Sequence, residues 1–397
     1  MTSLRKSWPV FALYLAFVLM MSKLAAGQAQ NTGQNPYKGQ TQYVFTDDDP
    51  GVSIYTVSTS GVLTLKEQLL AGFGSVGGLF GANRIQALDT GNQQCIYASV
   101  ASTGLILGIP ISTLTVAGSA SGSATDSGAG NGIGVALNSR YLYASFADSN
   151  TIGTFVVEEG CGLAFVGDIS VGGLAGGIIN GMAIHGNMMI ATFTDGSIES
   201  FDISSGTPIA NGDEKYSTAT LTSQGATYPN SIDITSDGHF AIFGDTSSSM
   251  VVEVSDISSG KLRPTRVYTS TASISSSNVI LSPDESVLYV VNTQGASVSA
   301  FLFDKKTGGL AWGCTSGLIR GQSSNWSYLG GARLITRTGT GGGVFVSEFG
   351  APAGIAMVTF ESSGFGRCSL HENLQSPFAD PISHGLLSIG TFPPRAF

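Results

Sequence analysis

Charged residues are scarce in this sequence. Only 11% of its 397 residues are Asp, Glu, Lys or Arg, and the formal net charge is −9. Average globular domains carry about 25% charged residues. A chain so poor in Lys and Glu lacks the residues that long surface helices need. Its acidic balance also lacks the basic face that binds phosphates. These shortages exclude a mainly helical protein and a nucleic-acid partner.

The common sequence motifs of catalysis and cofactor binding are also missing. The chain has no GxSxG, HExxH or P-loop motif. Gly339–Gly343 is a glycine-rich turn without the Lys and the helix that phosphate binding requires. The four cysteines show neither CxxC nor Cys/His spacing, which argues against zinc. We therefore expect no metal and no cofactor.

The sequence is rich in glycine, with 54 residues, and in short apolar runs. The stretch from Ser277 to Leu310 shows the pattern best. It contains the apolar runs Val279–Leu281, Val287–Val291 and Val298–Phe303, separated by turn-forming residues such as Ser282–Glu285. Short runs rich in Val and aromatic residues, bounded by such turns, are typical of antiparallel strands in a meander.

This stretch is one of a series of repeats. A polar residue followed by alternating apolar residues opens each repeat, at Asn83, Asn131, Asn180, Asn230 and Ser277, with spacings of 48, 49, 50 and 47 residues. Similar segments at Gly331 and Ser383 complete seven. A period near 50 with about four strands per repeat is typical of propeller blades. We predict an all-β, seven-bladed β-propeller of four-stranded antiparallel blades over residues 42–397. Six or eight blades is the alternative.

The two ends of the chain are predicted to meet. The first strands, Tyr43–Thr46, Val52–Val57 and Val62–Glu67, have no inner strand before them. The isolated run Leu386–Phe392 can supply it, and this pairing would remove the open edges of the sheet. The Gly/Ser/Ala-rich segment Leu114–Asn131 is interpreted as a loose crossing between blades.

The N-terminus has the pattern of a secretory signal peptide. Arg5 and Lys6 precede the apolar run Val10–Met21, which is followed by the small residues Ala25–Gly27. We assign residues 1–27 to this peptide and 28–41 to a flexible tail. An uncleaved membrane anchor is the alternative, but the run is shorter than the roughly 20 residues that span a bilayer. We expect a secreted monomer, free or held at a cell wall, without a membrane segment.

The four cysteines allow three disulfide connectivities. The repeat alignment puts Cys95 at the start of a second strand and Cys161 in the third-to-fourth strand turn of the next blade. It puts Cys314 and Cys368 early in the fourth strands of adjacent blades. We predict the pairs Cys95–Cys161 and Cys314–Cys368. The tripeptide beginning at Asn325 is a glycosylation sequon, although such tripeptides also occur by chance.

The loops that lead from the outer strand of one blade to the inner strand of the next gather at one mouth of the central channel, where a concave site is expected. The polar residues that open the inner strands are therefore candidate ligand-binding residues: Asn83, Asn131, Asn180, Tyr228, Asn230 and Asn278. The alternative is that each Asn satisfies the backbone of a tight turn.

Three residues in the same positions carry stronger chemistry. Arg84 and Arg333 can hold a carboxylate with a planar guanidinium, and His384 can transfer a proton near neutral pH. Together they form a candidate catalytic group for opening or closing a lactone, unless the arginines are only structural. The other histidines, His185, His239 and His371, are predicted to lie away from the mouth.

Acidic or amide residues recur near the ends of the second strands, at Asp47–Asp49, Asp195, Asp245, Asn292 and Glu348. Carboxylates brought together there could bind Ca²⁺ through their oxygen atoms. Because the residues recur once per blade, we favour turn capping over a metal site.

The residues 282–292, SPDESVLYVVN, and the later Val298–Phe301 resemble the hallmark of the YVTN/lactonase family of seven-bladed propellers. This family includes 6-phosphogluconolactonase and fungal carboxymuconate cyclases. The resemblance implies interconversion of lactones and open-chain acids without a metal, by His, Arg and Glu in the channel. The stretch Tyr228–Ser231 is similar to a His-Pro-His stretch of the family.

The chain departs from the family pattern at these positions. It has Asn230 where the family stretch has His, and Ser276–Asn278 where family members usually have Pro-Arg-His. An amide cannot act as a general base, and Ser cannot clamp a carboxylate as Arg does. Two functions are therefore considered. One is a secreted lactonase- or cyclase-like enzyme acting on a lactone or small organic acid. The other is a non-catalytic secreted propeller that binds a ligand, glycan or protein.

Overall fold

The fold is taken from a computed structural model of the chain. It describes residues 41–48, 51–70, 85–100, 103–123, 133–138, 140–211, 216–217, 228–246, 250–270, 276–292, 295–317, 319, 328–335, 343–349, 354–362, 368–373, 375–376, 378–379 and 386–394. The predicted signal peptide and Asn325 lie outside these residues. No helix of the length and hydrophobicity needed to cross a membrane occurs among them.

The described residues form seven antiparallel sheets, which are the seven predicted blades. Strands are given from the channel outward. Blade 1 contains β30 (Leu386–Phe392), β1 (Gln42–Asp48), β2 (Gly51–Val57) and β3 (Leu63–Leu70). Blade 2 contains β4 (Ile85–Asp89), β5 (Gln94–Val100), β6 (Leu105–Pro110) and β7 (Gly118–Ser121). Blade 3 contains β8 (Ile133–Leu137), β9 (Tyr141–Phe146), β10 (Thr151–Val157) and β11 (Leu163–Ser170).

The remaining four blades continue the pattern. Blade 4 contains β12 (Ile179–His185), β13 (Met188–Phe193) and β14 (Ser197–Asp202), with the short β15 (Ile209–Ala210) and β16 (Tyr216–Ser217) both paired to β14. Blade 5 contains β17 (Tyr228–Ile234), β18 (Phe240–Thr246), β19 (Met250–Asp256) and β20 (Arg263–Ser270). Blade 6 contains β21 (Ser276–Leu281), β22 (Val287–Asn292), β23 (Ser297–Asp304) and β24 (Gly309–Thr315). Blade 7 contains β25 (Tyr328–Ile335), β26 (Gly343–Phe349) and β27 (Gly354–Ser362), with β28 (Cys368–Glu372) and β29 (Phe378–Ala379) both paired to β27.

The ring closes through the C-terminal strand, as predicted. β30 pairs antiparallel with β1, so that Tyr43 lies opposite Phe392 and Thr46 opposite Ile389. The seven inner strands contact one another in the order β30, β4, β8, β12, β17, β21, β25 and back to β30. This order makes them the wall of the central channel. The third strands of the seven blades are β2, β6, β10, β14, β19, β23 and β27.

The hydrophobic core lies between blades rather than at one centre. Seven clusters of buried apolar side chains occur among the described residues, one at each interface between neighbouring blades. Because successive side chains of a strand point to opposite faces, the second strand of each blade supplies two of these clusters. In β18, Phe243 packs against blade 4 and Ile242 against blade 6.

Tight turns on the face opposite the mouth repeat the same side-chain hydrogen bonds. Between first and second strands, the hydroxyl of Thr235 or Ser282 donates to an Asp two residues later and accepts from the backbone N–H of the next strand. Gly238 closes the first of these turns with φ +67°. Glu285 takes the same place in the second with φ +57°, a conformation that costs about 1 kcal/mol for a residue with a side chain. Its carboxylate accepts the backbone N–H of Ser236 in the preceding blade at 2.5 Å, which offsets that cost.

Both predicted disulfides are present. Cys95 in β5 bonds Cys161, which ends the short 3₁₀ turn Glu159–Cys161, and joins blades 2 and 3. Cys314 bonds Cys368 and joins blades 6 and 7. The predicted place of Cys314 was wrong, because it lies near the end of β24 and not early in it. The pairing still holds because Cys368 begins β28, and the outer strands of neighbouring blades contact each other there.

The interpretation of Leu114–Asn131 as a crossing between blades is corrected in part. Its residues Gly118–Ser121 form β7, the outer strand of blade 2, with Gly118 opposite Gly108. An outer strand needs backbone hydrogen bonds but buries few side chains, so Gly, Ser and Ala suffice. Residues 124–132 lie outside the described residues.

Candidate functional site

The structure describes only part of the predicted mouth. The catalytic candidates Arg84 and His384 and the binding candidates Asn83 and Asn131 lie outside the described residues. The backbone, but not the side chain, is described for Tyr228, Asn230 and Arg333. Whether His384 and the arginines approach one another therefore stays a prediction.

The register of blade 7 differs by one residue from the prediction. The inner strand β25 begins at Tyr328, and its pairing shifts between Leu329 and Gly331, which leaves Gly330 as the bulged residue. In blades 4 and 5 the residue at this bulge is Asn180 or Asn230. The slot assigned to Gly331 thus belongs to Gly330. Arg333 is the sixth of eight residues in β25, further along the channel wall than the opening where we had placed it.

Asn180 supports the structural interpretation of the Asn series. Its side chain is 3% exposed, and its amide nitrogen donates to the carbonyl oxygen of Pro229 at 2.9 Å. This bond joins the inner strands of blades 4 and 5. The amide therefore holds two blades together rather than projecting into the channel mouth.

Two residues that the sequence analysis missed make the same kind of link between blades 5 and 6. The Ser231 hydroxyl accepts the backbone N–H of Val279 at 2.8 Å, and the Asp233 carboxylate accepts that of Leu281 at 2.7 Å. The inner strands of neighbouring blades do not form a sheet with each other, so some backbone N–H groups of an inner strand have no backbone carbonyl as partner. The side chains of Ser231 and Asp233 accept hydrogen bonds from two of these N–H groups. Ser231 and Asp233 alternate with Ile232 and Ile234, and this alternation is the sequence signal that could have identified them.

Asn278 differs from Asn180. It is 3% exposed, and its amide oxygen has no hydrogen-bond partner among the described residues. Asn278 lies opposite Val291 in the register position that Ser231 occupies in blade 5. Of the candidate binding residues whose side chains are described, it is the one with unused hydrogen-bonding capacity.

Asp195 organises the one mouth loop that is described completely. The loop 171–178 leads from blade 3 to blade 4. The Asp195 carboxylate accepts the backbone N–H groups of Ala175 at 2.7 Å, Gly177 at 3.1 Å and Ser197 at 3.0 Å, and the Ser197 hydroxyl at 2.5 Å. Burial alone would raise the pKa of Asp195, but these hydrogen bonds, that of the Ser197 hydroxyl foremost, outweigh it and lower the pKa. A carboxylate surrounded by N–H and O–H donors caps a loop and does not present its oxygens to a cation.

We expect Asp195→Ala to destabilise the protein by about 2 kcal/mol, because it leaves several donors without an acceptor. Urea unfolding at pH 7 measures this, and amide hydrogen exchange should show faster exchange at Ala175 and Gly177. The lowered pKa of Asp195 means that its contribution is present above the usual Asp pKa and is lost as the pH falls through the lowered value.

The matched control is Asp148→Ala. Asp148 occupies the same place in the mouth turn of blade 3, two residues after the final Phe of the second strand, but it is exposed. Its removal should change the free energy of unfolding by less than about 0.5 kcal/mol. Equal effects of the two substitutions would contradict the role assigned to Asp195.

The other acidic positions are spread over separate blade interfaces. Asn292 donates its amide to the hydroxyls of Ser299 at 2.9 Å and Ser297 at 3.1 Å within blade 6, while Asp245 belongs to blade 5. Among the described residues, no three acidic, His or Cys side chains come together as a metal site. Asn292 thus serves its own blade.

Three histidines lie away from the mouth, as predicted. His185 ends β12 and its Nε2 lies 3.0 Å from the carbonyl oxygen of Ser236. His239 lies in the turn between β17 and β18, with Nδ1 3.0 Å from the Asp237 carboxylate, and His371 lies on β28. Near His185, a cavity of about 310 Å³ opens between blades 4 and 5. Two of its polar side chains already have partners, since Asp202 accepts the Ser204 N–H and Asn211 donates to Ser200.

Similar structures cover almost the whole propeller. The periplasmic gluconolactonase of Pseudomonas aeruginosa has a TM-score of 0.66 and 12% identity, with 89% of this chain and 99% of that chain covered. A candidate 6-phosphogluconolactonase of Bacteroides uniformis has a TM-score of 0.66 and 15% identity, with 88% and 99% covered. This chain has the fold of these seven-bladed propellers.

The fold by itself does not decide the activity. A protein of unknown function from Desulfotomaculum acetoxidans is similar to nearly the same degree, with a TM-score of 0.63, 13% identity, and 89% of this chain and 99% of that chain covered. No protein-family model and no curated protein matches the sequence. Function must therefore be argued from the residues of the mouth.

Proposed function

We propose that this protein is a lactonase-like propeller that acts on a lactone or a small organic acid at the mouth of its channel. The observation that carries the proposal is the likeness, over nearly the full length of both chains, to a gluconolactonase. The residue pattern SPDESVLYVVN supports it independently of the structure. The two disulfides fit an extracellular protein, which supports the proposal that the chain is secreted.

The chemistry assigned to the mouth is general acid–base catalysis. His384 accepts a proton from water, the resulting hydroxide attacks the lactone carbonyl, and the ring C–O bond breaks as the ring oxygen takes the proton back. Arg84, together with Arg333 from its position further along the channel wall, holds the negative charge of the substrate or of the developing oxyanion. The products balance as one lactone and one water giving one hydroxy acid.

The test is hydrolysis of gluconolactone, 6-phosphogluconolactone and an unsaturated lactone by the purified protein, after subtraction of the spontaneous rate. We expect His384→Ala to lower kcat/KM at least about 100-fold. His371→Ala, at an exposed position on the outer strand β28, is the matched control and should leave kcat/KM unchanged. Wild-type rates equal to the spontaneous rate for every lactone would overturn the proposal.

A second candidate is a non-catalytic propeller that binds a ligand, glycan or protein. It is favoured by the use of Asn180 and Asp195 for blade and loop contacts and by Asn230 in place of the family His. Calorimetric binding of an open-chain acid without any turnover, lost in Arg84→Ala, would support this candidate over the first.

A further inference from the structure

Blade 5 contains two carboxyl groups buried side by side. Asp245 lies opposite Val251 and Glu253 lies opposite Phe243 in the register of β18 and β19, so the two side chains are diagonal neighbours on one face of the sheet. Their exposed fractions are 0% and 1%. Neither oxygen of the Glu253 carboxyl has a hydrogen-bond partner among the described residues, and two neighbouring carboxyl groups can hydrogen-bond to each other only when one of them holds a proton.

The pair faces blade 4. Phe243, on the same face of β18, packs against Ile190 and Ile198 of blade 4. By the alternation of strand side chains, the same faces carry Thr192 and Ser200 from blade 4 and Val267, opposite Glu253, from β20. None of these residues is charged.

Among the described residues, the ionisable groups on the strands around Glu253 are directed elsewhere. Asp233 of β17 binds the backbone of blade 6. Glu199 alternates with Ile198 and shares the face of Phe201, which packs with blade 3. His185 and Asp202 lie at the opposite end of the blades. Glu253 forms no ion pair with a Lys, Arg or His of the described residues.

We propose that Asp245 and Glu253 share one proton and that this proton makes the contact between blades 4 and 5 depend on pH. We call this pair the one-proton latch. With the proton, Glu253 donates to Asp245 and the interface is closed. Without it, two carboxylates face each other in a buried site, where their repulsion and the cost of burying both charges favour separation of the blades.

The direction of the pH effect follows from the protonation states. Burial, then the charge of Asp245, raises the pKa of Glu253 to about 10. In the unfolded chain a Glu loses its proton near pH 4.5. Between these values Glu253 holds a proton in the folded protein that it has lost in the unfolded chain, so the contribution of this pair to stability is greatest at low pH and falls as the pH rises.

Blade 6 provides an internal comparison. In the same two register positions it has Asn292 and Ser299, and the Asn292 amide donates to the Ser299 hydroxyl at 2.9 Å. This pair makes the equivalent link with groups that do not ionise. The two blades thus differ in whether this pair depends on a proton. The Asn/Ser pair of blade 6 can therefore replace the Asp/Glu pair of blade 5 in a variant.

The experiment measures urea unfolding from pH 5.5 to 9 for the wild type, for Glu253→Gln and for the double variant Asp245→Asn/Glu253→Ser, which transfers the blade 6 pair to blade 5. Glu159→Gln, at an exposed position, is the control. Relative to Glu253→Gln, the unfolding constant of the wild type should rise up to about tenfold per pH unit. Amide exchange in β18 and β19 should accelerate with pH beyond the intrinsic rate in the wild type alone.

Parallel pH dependences of the wild type and Glu253→Gln would overturn the latch. So would a wild type that becomes more stable than Glu253→Gln as the pH rises. If Glu253→Gln fails to fold, the pH dependence of the wild type is compared with that of the double variant instead. We expect the double variant to fold because blade 6 already contains the same Asn/Ser pair in the same register.

Discussion

A chain that ends at residue 385 is expected not to fold. The deletion removes β30, whose Ile389 and Phe392 are 2% and 3% exposed. Ile389 belongs to the cluster between blades 7 and 1, and Phe392 to the cluster between blades 1 and 2. Losing two buried side chains of this size costs about 5 kcal/mol before any backbone pairing is counted. That is of the order of the total stability of a typical domain.

The deletion also opens the ring. Without β30, the inner edge of β1 loses its partner from Tyr43 to Asp48, and an unpaired edge is a template for association. We therefore expect aggregation rather than a stable six-bladed remainder. Circular dichroism and size-exclusion chromatography of the truncated chain measure this outcome.

A permuted chain separates the loss of the strand from the loss of its position in sequence. Because Phe392 lies opposite Tyr43, a short turn can join the end of β30 to the start of β1, with the new ends placed between residues 379 and 386. This variant keeps every strand, and we expect it to unfold in one cooperative transition like the wild type. A truncated chain as stable as the permuted one would show that β30 does not close the ring.

The closing strand could be predicted from the sequence because the first repeat has only three strands. The inner strand that should open it is missing from the start of the chain. Seven third strands and seven inner strands can be counted by their apolar alternation, and the count fixes which end supplies the odd one. The pairing of the cysteines followed from the same alignment. Spacing near 50 residues thus determines much of this fold.

Backbone register and low-complexity strands were harder to predict. Gly330 and Gly331 carry no side chain that distinguishes a bulged residue from a paired one, so the position of Arg333 was off by one residue. β7 is made of Gly, Ser and Ala, which have no apolar alternation to detect. In both cases the structure depends on backbone hydrogen bonds, which the pattern of side chains does not predict.

The roles of single polar residues could be predicted least of all. Asp195 was recognised as a turn residue, but its partners come from loop 171–178, about 20 residues earlier in the chain. Glu253 in the middle of a strand is indistinguishable in sequence from an exposed strand residue. Only the packing of blade 4 against blade 5 makes it a buried carboxyl.

Removing the disulfide between Cys95 and Cys161 is expected to cost about 5 kcal/mol of unfolding free energy. The bond closes a loop with a sequence separation of 66 residues, and restricting the unfolded chain over that length contributes about 4 kcal/mol. Both sulfur-bearing residues are also buried, at 0% and 2% exposed, within the cluster between blades 2 and 3. Replacing them with Ala leaves a small cavity there, which adds about 1 kcal/mol.

The second disulfide is the matched control. Cys314–Cys368 closes a loop of similar length, with a separation of 54 residues, but its cysteines are only half-buried on outer strands. Cys314→Ala/Cys368→Ala should therefore cost about 4 kcal/mol, the chain-entropy contribution alone. Urea unfolding of both double variants at pH 7 measures the difference. If the second pair proved the more costly, the stability of this propeller would depend on linking its outer strands more than on the buried contact between blades 2 and 3.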